Sequence, residues 1–391
     1  MSAPQSNLWK PLKLGNATLS HRIALAPLTR LRNDEEHLPI DIMTQYYADR
    51  ASTPGTLLVS EATGVSKAAE AGPHSPGISS PKQAEAWGRI YDAVHAKGCV
   101  IFQQLWDMGR AGHPEYLQSR GLKYYSSTNK QLEGRSVPPT PLTEEEIWGK
   151  VQDFRSAARK VVDAGGDGVE IHGAHGYLID QFLSSSINDR TDKWGGSIEN
   201  RARFLLEIVK AVVDEIGAER TALRLSPFAS FQGAYTTDTW EQTSYIIGEF
   251  KKAGYKFAYL SLVEPRGNPT LSDGVNRLAS DIDNPFGEKQ QSLDFILEAW
   301  DNQSPVMVAG GYLPHNTAQA VDEQYKKWEV VVAFGRWFVS NPDLVFRVKN
   351  GVPFTPYKRE SFYTFESNEG YNDYAFSDEF IHSAKVEAVK A

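Results

Sequence analysis

The densest chemistry in the sequence lies between Asp167 and Tyr177, which read Asp-Gly-Val-Glu-Ile-His-Gly-Ala-His-Gly-Tyr. Two imidazoles and a phenol, His172, His175 and Tyr177, follow directly on the apolar run Val169-Glu170-Ile171. A short apolar run that breaks on glycine fits a buried parallel strand ending in a turn. Strand ends of that kind are where α/β folds place reacting groups. Imidazoles can donate hydrogen bonds, move protons or bind a metal, and a phenol of pKa about 10 keeps its proton at neutral pH. No His-Glu-x-x-His or comparable carboxylate-and-His motif accompanies the pair, so the pattern does not ask for a metal. A structural pair of histidines is the bland alternative.

Other polar groups stand at the ends of apolar runs: Pro27-Leu28-Thr29, Glu61-Ala62, Gln104-Leu105-Trp106, Arg224, Gly310-Gly311 and Gly335-Arg336. Glycines with accessible N–H groups beside a guanidinium fork suit a phosphate, and in α/β barrels that site follows strands seven and eight. The amide, hydroxyl and guanidinium groups at the other ends suit a flat heterocycle with several carbonyls and ring nitrogens. Together they suggest a phosphorylated cofactor. Plainer readings exist for each. The glycines could serve turns alone, and Trp106 could be core or lid packing. Arg224, inside an apolar run, needs a ligand or a carboxylate partner, because buried lone charges are rare.

The elements that would hold these groups follow a β/α rhythm. Pro11 to Leu19 alternates around Gly15-Asn16, a hairpin signal. Apolar runs at Ile23–Ala26, Thr56–Ser60, Cys99–Leu105, Val169–Ile171, Ala222–Leu225, Phe257–Leu262, Val306–Ala309 and Val330–Phe334 are expected strands. Helices are expected between them, at about 41–51, from Ser80 to Gly98, from Thr143 to Gly165, and at about 198–216, 239–253 and 292–301. Ser80-Pro-Lys-Gln and Thr143-Glu-Glu-Glu read as N-terminal capping signals. Ser340-Asn-Pro-Asp is expected to cap the last barrel helix. Long loops are expected at 107–142 and 263–290, and an aromatic-rich tail from Gly351. Eight strand–helix units predict an α/β fold, a (β/α)8 TIM barrel with an N-terminal β-hairpin and long βα loops, in a single domain spanning 1–391. A doubly wound sheet competes, but neither Gly-x-Gly-x-x-Gly nor a Walker A motif is present.

The net charge of −8 argues against nucleic-acid or anionic-membrane partners. No run of about 18 apolar residues and no secretory pattern is present, so the expected location is the cytoplasm. Cys99 is the only cysteine, which excludes intramolecular disulfides and cysteine-held clusters. No heptad or apolar stripe argues for assembly, so a monomer or homodimer is expected.

These residues resemble those of the old yellow enzymes, flavin-dependent ene-reductases related to oxophytodienoate reductases. The resemblance covers about residues 8–375. It rests on Ala26-Pro-Leu-Thr-Arg30, Gln104-Leu-Trp106, Glu170-Ile-His-Gly-Ala-His-Gly-Tyr-Leu178, Asn188 to Asp192 with Gly195 to Arg201, Arg224-Leu-Ser-Pro227, and Gly335-Arg336 leading to Ser340–Leu344. The resemblance implies FMN as cofactor, NADPH or NADH as donor, and reduction of the C=C bond of an α,β-unsaturated aldehyde or ketone. Pro27, Leu28, Thr29, Ala62, Gln104 and Arg224 would surround the flavin ring. Gly310, Gly311, Gly335 and Arg336 would hold its phosphate. His172 and His175 would grip the substrate carbonyl, Tyr177 would donate the proton, and Thr29 would tune the flavin. Trp106 and Tyr363 would line the substrate pocket. The resemblance leaves room for a redox-neutral isomerase on the same scaffold. A non-redox barrel lyase on a phosphorylated substrate would instead need a Schiff-base lysine, and no candidate strand end carries one.

Overall fold

The computed structural model describes residues 6–265 and 291–390. Most of the expected 263–290 loop lies outside the described residues.

Eight parallel strands form a closed barrel: β1 (Ile23–Leu25), β2 (Leu57–Val59), β3 (Val100–Trp106), β4 (Gly168–Gly173), β5 (Thr221–Leu225), β6 (Tyr259–Val263), β7 (Val306–Ala309) and β8 (Val330–Phe334). Each pairs with its neighbours in sequence, and β8 pairs with β1 to close the ring. This is the TIM barrel that the β/α rhythm predicts. The hairpin Leu12–Leu14 and Ala17–Leu19 is antiparallel, with Leu12 opposite Leu19.

The alternation of side chains along the strands explains the position of the site. One parity packs outward against the helices: Leu25, Leu58, Ile101, Ile171, Leu223, Leu260, Val308 and Val332. The other parity points into the barrel. Ala24, Leu57, Val59, Phe102, Ala222, Tyr259, Met307 and Val331 fill its interior, and Leu12, Leu14 and Leu19 of the hairpin join the same cluster. Further along that inward parity stand Gln104 on β3, Glu170 and His172 on β4, Arg224 on β5 and Ser261 on β6, all buried. The barrel is therefore apolar toward the hairpin and polar toward the C-terminal ends of its strands.

The helices form the outer layer for ordinary reasons. α1 (Asp41–Arg50) and α2 (Pro81–His95) follow β1 and β2; Ser80 caps α2 in a reciprocal capping box with Gln83. α3 (Glu144–Asp163) begins in the same way with Thr143 and Glu146 and buries Ile147, Val151, Phe154, Ala158 and Val161. Truncating a buried phenylalanine such as Phe154 to Ala would cost about 3–5 kcal/mol. α4 (Ile198–Ile216) and α5 (Thr239–Lys252) fall where their patterns place them. No helix among the described residues is long and apolar enough to cross a membrane.

Three local expectations change. The 107–142 segment is folded: it contains a helix at Pro114–Ser119 and a short pairing of Tyr125–Ser126 with Thr140–Pro141. Tyr125 donates to the buried Asp107 carboxylate at 2.6 Å, and Ser126 to Gln181 at 2.8 Å, which pins the segment to the barrel. The helix Leu344–Asn350 has no side-chain cap. Asp343 instead accepts from Arg347 Nε at 2.7 Å and from the Ser377 hydroxyl at 2.5 Å, tying the tail to the barrel. The tail also carries a helix, Asp378–Lys390, that its aromatic content did not suggest.

Candidate active site

The C-terminal mouth of the barrel opens into a cavity of about 580 Å³. Every residue singled out for the site borders it. Pro27, Leu28 and Thr29 come from the end of β1, Ala62 follows β2, and Gln104 and Trp106 end β3. His172 stands near the end of β4, His175 and Tyr177 follow it, and Arg224 is the last residue but one of β5. Gly310 and Gly311 follow β7, Gly335 and Arg336 follow β8, and Tyr363 comes from the tail.

The turn after β4 carries the reacting groups in a backbone that needs support. His175 has φ +57° and Gly176 φ +75°. A left-handed histidine is costly unless its surroundings fix it. Three side chains do so. Ser226 Oγ accepts the His175 N–H at 2.9 Å, Asp180 accepts the Gly176 N–H at 2.8 Å, and Gln232 donates to the His175 carbonyl at 3.1 Å. None of the three had a role assigned from sequence. Only Ser226, in the Arg-Leu-Ser-Pro run, stood in a motif that could have flagged it.

The rings pack as one group. Tyr177 meets Trp106 edge-on at 4.6 Å and His172 at 5.0 Å, and the two imidazoles lie 5.9 Å apart at 83°. Burial, and then the neighbouring His175 and Arg224, hold the His172 pKa well below the usual imidazole value. Burial and Arg224 push His175 down to about 3. Both rings are thus neutral near pH 7 and can offer N–H groups without adding charge. Burial, with Tyr363 nearby, raises the Tyr177 phenol above its ordinary value, so it keeps its proton. Tyr363 itself is 60% exposed at the mouth.

The residues fit a flavin on the evidence of unsatisfied groups. Arg224 Nε and Nη1 are buried without a hydrogen-bond partner, as are His172 Nδ1 and Trp106 Nε1. Buried donors left unpaired cost about 1–3 kcal/mol each, so a ligand rich in acceptors suits this wall. Arg224 has a carboxylate neighbour too, Glu170, at a loose 4.0 Å. Across the cavity, Gly310 and Gly311 have φ +143° and +77°, values that side-chain-bearing residues avoid. Their backbone is left uncovered beside Arg336. Among the described residues no group of three or more His, Cys, Asp or Glu could hold a metal. The cavity wall also includes Phe231, Tyr312, His315, Asn316, Tyr357 and Phe362, which sequence reasoning did not single out.

A family model described as NADH:flavin oxidoreductase / NADH oxidase matches residues 7–354. The chain belongs to that family. It is 46% identical to a chanoclavine-I aldehyde reductase of Penicillium roqueforti over 98% of this chain and 100% of the relative. It is 42% identical to a probable inactive reductase of Epichloe festucae var. lolii, over 99% of each. Among solved structures, the old yellow enzyme of Pichia sp. AKU4542 superposes with a TM-score of 0.83 at 34% identity, covering 96% of this chain and 94% of that one. The resemblance to old yellow enzymes read from the motifs thus holds for family and fold alike. The protein is a flavin oxidoreductase of this group, and its relatives include both aldehyde reductases and chains named as inactive.

Proposed function

We propose that the protein is an active FMN-dependent reductase that uses NAD(P)H to saturate the C=C bond of α,β-unsaturated aldehydes and ketones. The observation that carries this reading is the convergence of four side chains in one cavity: neutral His172 and His175, protonated Tyr177, and Arg224 with unpaired buried donors.

The chemistry supplied by bound FMN would be the transfer of reducing equivalents from NAD(P)H to the β-carbon of the substrate. Arg224, Gln104, Thr29, Pro27, Leu28 and Ala62 would hold its ring, and Gly310, Gly311, Gly335 and Arg336 its phosphate. The rest falls to side chains of the chain. Reduction at the β-carbon drives negative charge onto the substrate carbonyl oxygen. His172 and His175 meet that charge with two preorganised N–H donors; removing one such donor typically costs about 10²–10³ in rate. Tyr177 holds a proton at its hydroxyl and gives it to the α-carbon. Gln232, which donates to the His175 carbonyl at 3.1 Å, lies beside the Tyr177 phenol and helps to place it. Trp106 backs Tyr177, and Tyr363 closes the outer wall. The name of the Penicillium relative supports an aldehyde as substrate.

The test is the visible spectrum of the purified protein, followed without oxygen as NADPH and then an enone or enal are added. A flavin spectrum that bleaches with NADPH and returns with the enal is expected. A protein that takes up no FMN would overturn the cofactor reading. One that binds FMN but is not reoxidised by any enal or enone would overturn the activity.

A further inference from the structure

Glu170 is a carboxylate in the middle of an apolar strand, fully buried, and it does not border the cavity. We infer that it is a positioning residue: it fixes the amide of Gln104, offsets the charge of Arg224, and thereby lowers the reduction potential of a flavin bound in the cavity. The inference rests on the FMN reading above.

Strand register brings the three residues within two positions of one another on the inward face. Gln104 on β3 lies directly opposite Glu170 on β4, and Arg224 near the end of β5 lies on the other side of β4, opposite His172. One carboxylate oxygen, Oε1, accepts from Gln104 Nε2 at 2.7 Å and lies 4.0 Å from Arg224 Nη1. The other, Oε2, has no hydrogen bond; the hydroxyls of Tyr259 and Ser261 on β6 approach the carboxylate without reaching hydrogen-bond geometry.

Two consequences follow. Burial raises the Glu170 pKa, and Arg224 and Gln104 oppose that rise; the ionised group can only accept, and the Gln104 amide turns its nitrogen toward it. Its oxygen is then free for an N–H of a ligand. The Arg224 contact is also not that of a closed structural pair. Arginine and carboxylate in a sealed core close to about 2.7–2.9 Å, often through two parallel bonds. Here the guanidinium stays at 4.0 Å with Nε and Nη1 unpaired, while Coulomb attraction still acts at that range. Electrons entering a flavin add negative charge. Arg224 favours that charge, and Glu170, beside Arg224, opposes it.

The test is a spectroelectrochemical titration of the FMN-loaded protein. Glu170→Gln keeps the shape, removes the charge and lets the Gln104 amide turn over. The midpoint potential is expected to rise by an amount equal to at least a ten-fold shift toward reduced flavin, about 30 mV for a two-electron couple. Glu170→Asp, which keeps the charge, is expected to stay nearer the wild-type value. A merely structural glutamate would alter stability and leave the potential where it was. An unchanged or lowered potential in FMN-loaded Glu170→Gln would overturn the inference and leave the cofactor reading intact. A wild-type protein that binds no FMN would overturn both. If the variant does not fold, the wild-type protein carrying ¹³C-labelled glutamate decides. Its reduced-minus-oxidised infrared difference spectrum is expected to show a labelled ionised-carboxylate band. Its absence would overturn the inference.

Discussion

The edge of the Tyr177 ring meets the Trp106 ring at 4.6 Å and 62°, a contact that joins the end of β3 to the turn after β4. The indole holds the phenol from one side while His172 holds it from another at 5.0 Å. The phenol therefore has little freedom to leave the cavity, and its function can be tested apart from its packing. Tyr177→Phe keeps the ring contacts and removes only the hydroxyl that carries the proton. Reduction of the flavin by NADPH is expected to stay within a few-fold of wild type, and reoxidation by an enal to slow by about 10²–10⁴. Stopped-flow measurement of the two half-reactions checks this, and equal losses in both would refute the proton-donor role.

Arg224 carries two unpaired buried donors. Arg224→Met keeps much of the side-chain volume and removes both. It also leaves Glu170 as a buried carboxylate without its cation, which costs stability. FMN occupancy after gel filtration is expected to drop markedly, with the far-ultraviolet spectrum preserved. Full occupancy in a folded variant would show that Arg224 does not contact the cofactor.

Asp180 supplies the pH dependence. Burial raises its pKa from 3.8 to about 6, against the opposing pull of the Gly176 N–H. Between those values the folded chain holds the proton more tightly than the unfolded chain. Its stabilising contribution is therefore complete below about 3.8 and is lost as pH rises through about 6. Asp180→Asn keeps an acceptor for Gly176 and removes the titration. Its stability, measured by urea unfolding, is expected to gain on wild type between pH 4 and pH 7. Parallel profiles would refute the assignment.

Arg32 anchors the tail segment that carries Tyr363. It donates to the carbonyls of Ser361 and Phe362 at 2.8 and 2.7 Å and to those of Glu369 and Ser367 at 2.8 and 3.1 Å. Arg30 adds Gly370 at 2.6 Å. Arg32→Leu leaves the buried Ser361 carbonyl without this donor, at about 1–3 kcal/mol, while the Phe362 carbonyl keeps Arg30 at 3.2 Å. Limited proteolysis between 361 and 370 is expected to speed up at least ten-fold, and KM for the enal to rise more than kcat falls. Unchanged cleavage would mean that Arg30 suffices.

The sequence by itself determined the barrel and which strand ends face its mouth. Alternating apolar runs can bury two faces only in a sheet covered by helices, and eight such runs close on themselves. Because reacting groups sit at strand ends, Thr29, Gln104, His172, Arg224 and Gly335 could be grouped before any distance was known. Tertiary structure decided what pairing across strands decides. Glu170 reads as one charge in an apolar run; only the register of β3, β4 and β5 puts its carboxylate between Gln104 and Arg224. The left-handed turn at His175 is held by Ser226 and Gln232, more than 50 residues away, and no local pattern encodes contacts at that separation. The 107–142 segment looked like an open loop because its order comes from Asp107 and Gln181, groups outside its own glycine- and proline-rich stretch or at its very edge. Local composition records the cost of ordering a chain, and only the folded neighbours supply the contacts that offset it.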